Sequence, residues 1–149
     1  MSPTRIPDAT LRTERLFSAS PQQVFAAFEQ ADQLARWWGP KDFSNSFERF
    51  EFRPGGRWIF VMHSPNGADY PNESVFREIE PEARIVIEHV AKPWYRLTVT
   101  LSARGEQTQL VWAQAFESPE VAAKMRGLAE PANEQNLDRL QALLAAGGS

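Results

Sequence analysis

The sequence predicts an α+β fold, a curved antiparallel sheet with helices against one face. Three observations carry this. From Asn45 to Phe116 the apolar residues alternate with period two, in six runs separated by short turns. The period is helical over Ser20–Trp38 and again over Pro131–Ala146. The last helix carries a stripe of Leu137, Leu140 and Leu144 that runs back into an amide, Asn133. Its oily end suits a sealed core and its amide end suits something wetter. The reading is a cavity between this helix and the sheet.

The elements follow in order. Residues 1–8 hold two prolines and no periodicity, and read as a loose leader. Ala9–Ser18 reads as a strand with Leu11, Thr13, Arg15 and Phe17 on one face. Ser20-Pro21 starts a helix: Ser20 caps it and Pro21 suits its first position. Val24, Phe25 and Phe28 form its apolar face. Asp32 is expected to cap a second short helix, stopped by Gly39-Pro40. Six strands follow: Ser46–Arg53, Arg57–Ser64, Pro71–Glu80, Arg84–Val90, Trp94–Ala103 and Thr108–Phe116. Turns at Pro54-Gly55-Gly56, Pro65-Asn66-Gly67, Pro81-Glu82 and Arg104–Glu106, with a loop at Lys92-Pro93, make them a meander. Ser118-Pro119 opens a helical region in which Gly127 and Pro131 are expected to cause a kink or break.

Alternation assigns the inner face. Trp58, Phe60 and Met62 face in, as do Ile85, Ile87 and His89. Tyr95, Leu97, Val99 and Leu101 face in, and so do Leu110, Trp112, Gln114 and Phe116. If Glu80 opposes Ala83, then Phe76 opposes Ile87 and Ser74 opposes His89. The result is an apolar wall with sparse polar points at Ser74, His89, Gln114 and Asn133, the makeup of a small-molecule pocket.

Composition limits the function classes. At 149 residues and 42% hydrophobic content, one domain spanning 1–149 with a real core is expected. Five Trp and ten Phe exceed what core packing alone asks of a chain this size. A net charge of −3 speaks against a nucleic-acid surface. The absence of Cys removes disulfides, thiolate catalysis and Cys-based zinc sites. Met1–Thr10 lacks the apolar core of a secretory signal, and no apolar run approaches a membrane span, so a cytoplasmic protein is expected.

Several stretches resemble a known family: Trp37-Trp38-Gly39-Pro40, Arg53-Pro54-Gly55-Gly56-Arg57-Trp58, Ser64-Pro65-Asn66-Gly67, and Arg15–Pro21 with Val24-Phe25. Glu78-Ile79 and Asn133–Leu140 add to them. From about Leu11 to Leu144 the chain is similar to the START-like (SRPBCC) superfamily, in the branch named for the activator of the heat-shock-90 chaperone ATPase. The resemblance implies a helix-grip fold: a seven-stranded antiparallel sheet wrapped around the C-terminal helix, two short helices after the first strand, and a hydrophobic cavity. Members of this fold bind lipids, act as cyclases or serve as chaperone partners. The branch often has Asp at the position of Asn66 and Gly at that of Ser74. The chaperone activator itself carries a further N-terminal domain.

The chemistry-bearing residues are few. His89 is the best acid–base candidate, since an unperturbed imidazole titrates nearest neutrality. His63 alternates to the outer face and is expected to be solvated. Two His on opposite faces give no metal site, and the sequence shows no Ser-His-Asp or Gly-x-Ser-x-Gly signature. Gly55-Gly56 lacks the helix and Lys of a phosphate loop and reads as a turn. The first expectation is therefore a protein that binds a small hydrophobic molecule, without catalytic residues, metal or cofactor. Its lining is expected from Trp38, Trp58, Phe60, Met62, Phe76, His89, Trp112, Gln114, Met125 and Asn133. Trp37-Trp38 is the candidate gate. A cyclase- or dehydratase-like cavity enzyme using His89 is the second reading. A chaperone cofactor or stress-related interaction module is the third, with a chaperone or a second copy of the chain as partner.

Overall fold

The computed structural model describes residues 9–147, so the expected leader and the last two residues of the tail lie outside the described residues. The order is β1 (Thr10–Phe17), α1 (Pro21–Glu29), α2 (Ala31–Trp37), β2 (Ser44–Phe50), β3 (Arg57–His63), β4 (Asp69–Glu80), β5 (Arg84–His89), β6 (Tyr95–Arg104), β7 (Gln107–Phe116) and α3 (Pro119–Ala145). All strand pairs are antiparallel, in the order β1-β7-β6-β5-β4-β3-β2. This is the curved seven-stranded sheet of the helix-grip fold, with its helices on the inner face. Among the described residues no helix is long and apolar enough to cross a membrane.

Ser20 caps α1 reciprocally: Gln23 N donates to its Oγ (3.2 Å) and its own N donates to Gln23 Oε1 (2.9 Å). Asp32 does not cap α2. The cap is Gln30, with no side-chain bond, and Asp32 sits in the first turn, where its charge suits the helix dipole. β2 starts and stops earlier than alternation suggests, because Glu51 N already turns to Arg57 O (2.9 Å) and Gly56 N to Arg53 O (2.8 Å). A Cβ on Gly56 would lie 2.0 Å from Glu51 O, so the turn admits only glycine. Phe52, released from the strand, packs on Phe25 and Phe76.

The β4–β5 turn pairs Glu80 with Arg84 rather than with Ala83. A bulge between Phe76 and Glu78 absorbs the one-residue difference, so Phe76 still opposes Ile87 and Ser74 still opposes His89. α3 is one continuous 27-residue helix through Gly127 and Pro131, not a broken one. Pro131 withholds the bond that the Gly127 carbonyl would receive, but both residues are exposed, so water serves that carbonyl. Packing holds the helix on either side of the proline. Ala122 and Ala129 sit with Leu11 and Phe116, while Leu137 and Leu140 are fully buried in the main core.

Candidate functional site

The site is built where the α2–β2 loop meets α3. Trp37 is core: it is buried and its indole donates to Ala27 O (2.8 Å). The next residue ends α2, and Gly39 at φ +98° lets the chain turn away. Gly39 also lies so near Met62 that an added Cβ would stand 2.8 Å from the Met62 methyl. α3 clamps this loop. Arg139 donates to the carbonyls of Arg36 (2.6 Å), Trp38 (3.0 Å), Gly39 (3.1 Å), Pro40 (2.9 Å) and Phe43 (2.9 Å). Asn136 donates to Trp37 O (2.9 Å), and Asn45 to Ala35 O and Trp38 O. Burial pulls the Arg139 pKa down, and the charge of Asp42 opposes this. Five carbonyl acceptors compensate the buried guanidinium and fix the Trp38 wall.

Beside that wall lies a hollow of about 120 Å³. Trp38, Met62, Trp112, Gln114 and Asn133 line it, five of the ten expected residues. Leu97, Tyr95, Ala132 and Asn136 complete its walls with Gly39 and Pro40. Asn133 donates to Gln114 Oε1 (3.0 Å). Trp112 is 2% exposed and its indole N–H has no hydrogen-bond partner. A buried donor left unpaired costs about 1–3 kcal/mol; the ring of Trp112, rather than this shielded N–H, borders the hollow. Burial pushes the Tyr95 phenol up to about 12, keeping it a neutral donor.

The other expected residues stand elsewhere. Trp58, Phe60 and Phe76 form a filled stack, with Trp58–Phe60 centroids at 4.2 Å and Trp58–Phe76 at 5.9 Å, all within 2% exposure. Phe47 and Phe50 close on the same stack. Met125 packs in a separate cluster with Leu11, Phe116, Ala122 and Ala129. Its displacement follows from the unbroken α3, which carries the turn of Met125 past the hollow.

His89 is buried, stacked on Tyr95 at 4.7 Å, and absent from the lining. Its partners are not Ser74. The Pro93 carbonyl faces Nδ1 (2.8 Å) and Asn72 Oδ1 faces Nε2 (2.7 Å), while Asn72 Nδ2 donates to Tyr70 O (2.8 Å). Burial lowers its pKa from 6.5, against the contrary pull of the Pro93 and Ala91 backbone. The neutral ring carries a single N–H, so it donates to one of these two oxygens and in this way braces the β5–β6 corner. His63 is not merely solvated, since it contacts Ser46 and Asp69.

A larger hollow, about 340 Å³, lies between β1 and α3 against Leu11, Arg12, Thr13, Gly127, Pro131 and Asn133. Its charged rim is largely self-satisfied: Arg12 pairs with Glu14, Arg126 with Glu130, and Thr13 donates to Glu134. The smaller hollow has the aromatic wall and the amide pair and is the better binding candidate. Asn133 borders both, so its bond to Gln114 stands between them.

Sequence reasoning did not single out Tyr95, Ala132, Asn136 or Arg139 for this site, nor Asn72 for the His89 corner. Tyr95 was legible as inward-facing. The helix residues needed the position of the loop they clamp.

Comparison with known proteins supplies the relatives. A family model described as "Activator of Hsp90 ATPase homolog 1-like protein" matches residues 18–145. None of the curated proteins matches. Among solved structures, a protein from Arthrobacter aurescens superposes with a TM-score of 0.87 at 24% identity, covering 97% of this chain and 90% of that one. One from Nitrosomonas europaea gives 0.85 at 20% identity, covering 93% and 95%. One from Rhodobacter sphaeroides gives 0.83 at 24% identity, covering 95% and 98%. At these identities the likeness carries the fold alone.

Proposed function

The chain belongs to the Activator of Hsp90 ATPase homolog 1-like family, and from that premise we propose that it binds a small, mainly apolar molecule in the hollow between β6, β7 and α3. The observations that carry the reading are the aromatic and apolar wall of the hollow, Trp38, Met62, Leu97 and Trp112, and the Asn133–Gln114 amide pair beside it. The volume sets the ligand class. A closed cavity of about 150 Å³ admits benzene, so this open hollow of about 120 Å³ takes part of a ring or a short chain, with the rest of the molecule at its mouth. The ligand carries one acceptor, such as a carbonyl, for the Gln114 amide. Asn133 and Gln114 orient it, and the aromatic wall supplies contact area.

His89 serves this reading as a brace, because both ring nitrogens face oxygens of the protein itself, Pro93 O and Asn72 Oδ1. The family name raises a chaperone as a partner. The large apolar side chains that are exposed, Leu16, Tyr70, Val90 and Leu128, lie on separate segments, which favours the ligand reading over a docking patch. Benzaldehyde titration followed by native mass spectrometry and Trp fluorescence tests it. One bound probe per chain, lost in Trp112→Phe, is expected. Probe uptake only on denaturation contradicts it.

A further inference from the structure

The outer face of the sheet holds an arrangement that the inner hollow does not use. Ser46 on β2, His63 on β3 and Asp69 on β4 form a chain of contacts across three strands. Ser46 Oγ lies 2.7 Å from His63 Nε2, and His63 Nδ1 lies 2.7 Å from Asp69 Oδ1. Asp69 directly opposes His63, while Ser46 opposes Val61, one diagonal step from His63. With Ser46 donating to Nε2, Nδ1 carries the ring proton and donates to the carboxylate. Nucleophile, base and orienting carboxylate then stand in the order that acyl transfer requires, a constellation recognised by geometry rather than by sequence order.

Local structure holds the three in place. The β3–β4 hairpin is braced by Ser64 N to Ala68 O (2.8 Å), Gly67 N to Ser64 O (3.1 Å) and Ala68 N to Asn66 Oδ1 (3.1 Å). This fixes His63 against Asp69. Among the described residues β2 is the last strand of the sheet, so its free edge presents backbone N–H groups without a strand partner, the kind of donor a developing oxyanion requires. A bulge between Phe47 and Arg49 follows directly, a feature that re-aims strand side chains. Val61 and Pro71, paired across β3 and β4, give a small apolar footing next to the serine.

We propose that Ser46, His63 and Asp69 form an esterolytic site on the outer sheet face, acting on short-chain acyl esters that reach an open surface. Ser46 Oγ attacks the acyl carbon and its proton passes to His63 Nε2. The ester C–O bond breaks and Nε2 returns the proton to the departing alkoxide. Water then attacks the acyl-serine, giving its proton to Nε2. The acyl–Oγ bond breaks, Ser46 regains its proton, and a carboxylic acid is released. Ser46 and His63 are the catalytic residues, and Asp69 is a positioning residue. The site is independent of the inner hollow, and its failure leaves the binding reading standing.

The test is 4-nitrophenyl acetate with the full chain, acid quench and peptide mass spectrometry. An acetyl group on Ser46 and turnover above buffer are expected. Ser46→Ala should abolish both, and Ser46→Cys should restore acylation. His63→Gln should lower turnover about 100-fold or more. Asp69→Asn should lower kcat with KM little changed, and Asp69→Glu should restore part of the rate, a pattern that loss of packing does not produce. Thermal melting of each variant checks folding. Acetylation confined to lysines or His63, or turnover unchanged in folded Ser46→Ala, overturns the proposal.

Discussion

Beneath β2–β4 the inner face is packed ring on ring, with Trp58 between Phe60, Phe76, Phe47 and Phe50. Beneath β6–β7 a tryptophan of the same type, Trp112, borders open volume. Both indole N–H groups are buried and unpartnered. The difference lies in what covers them. The β2–β4 half is closed by aromatic residues on β2 and by Phe52 from the turn after it. The β6–β7 half is covered by Ala132, Asn133 and Asn136 of α3, which are too small to fill it. An aromatic inner face therefore makes a core or a site according to the size of the residues opposite.

Large-to-small changes should separate the halves most strongly. Trp58→Ala should cost about 3–5 kcal/mol in urea unfolding, because the stack cannot close over the gap. Leu140→Ala, beneath α3, should cost about 2–5 kcal/mol. A loss under about 0.5 kcal/mol at Leu140 would remove the helix from the core. Arg139→Gln comes next. Stranding the carbonyls of the Trp38 loop should cost about 2–3 kcal/mol and weaken benzaldehyde binding through the loosened wall. If only stability falls, the loop is not part of the site.

The fold was readable because alternation and capping act locally. Ser20-Pro21 and the inward sets on β3, β5, β6 and β7 stand where side-chain period places them. The β4–β5 register came right despite a turn that differs by one residue, since burial of Phe76 and Ile87 constrains the pairing more than the turn does. The site was half readable. Trp38, Met62, Trp112, Gln114 and Asn133 meet at one hollow, but nothing in the sequence tells that Phe52 leaves its strand to fill the other half. Nor does it show that solvent rescues the Gly127 carbonyl and lets α3 run through Pro131. Arg139 carried no role in the sequence, because its acceptors come from a loop about a hundred residues earlier. Ser46, His63 and Asp69 sit on three strands, so only the register brings them together.

A smaller effect comes from filling the hollow. Ala132→Leu should leave stability within about 1 kcal/mol and weaken probe binding at least about tenfold, or ~1.4 kcal/mol. Retained affinity would move the site elsewhere, first to the groove beside β1. The pH dependence at His89 is smaller still. Its folded pKa lies below 6.5 through burial, so the unfolded chain takes up the proton first as pH falls. Stability from the neutral ring is complete above about 6.5 and is lost as pH falls toward the folded value. His89→Gln should flatten that slope in unfolding measured across this window, while probe affinity stays within about tenfold. An unchanged slope would remove His89 as the source.

The central claim is that one tryptophan half is a site and the other a core. Indole N–H resonances read it directly in an NMR titration with benzaldehyde. The account predicts that the Trp112 signal shifts saturably, with Trp38 responding as its neighbour, while the Trp58 signal stays in place. Equal shifts at Trp58 and Trp112, or no saturable shift at Trp112, would contradict it.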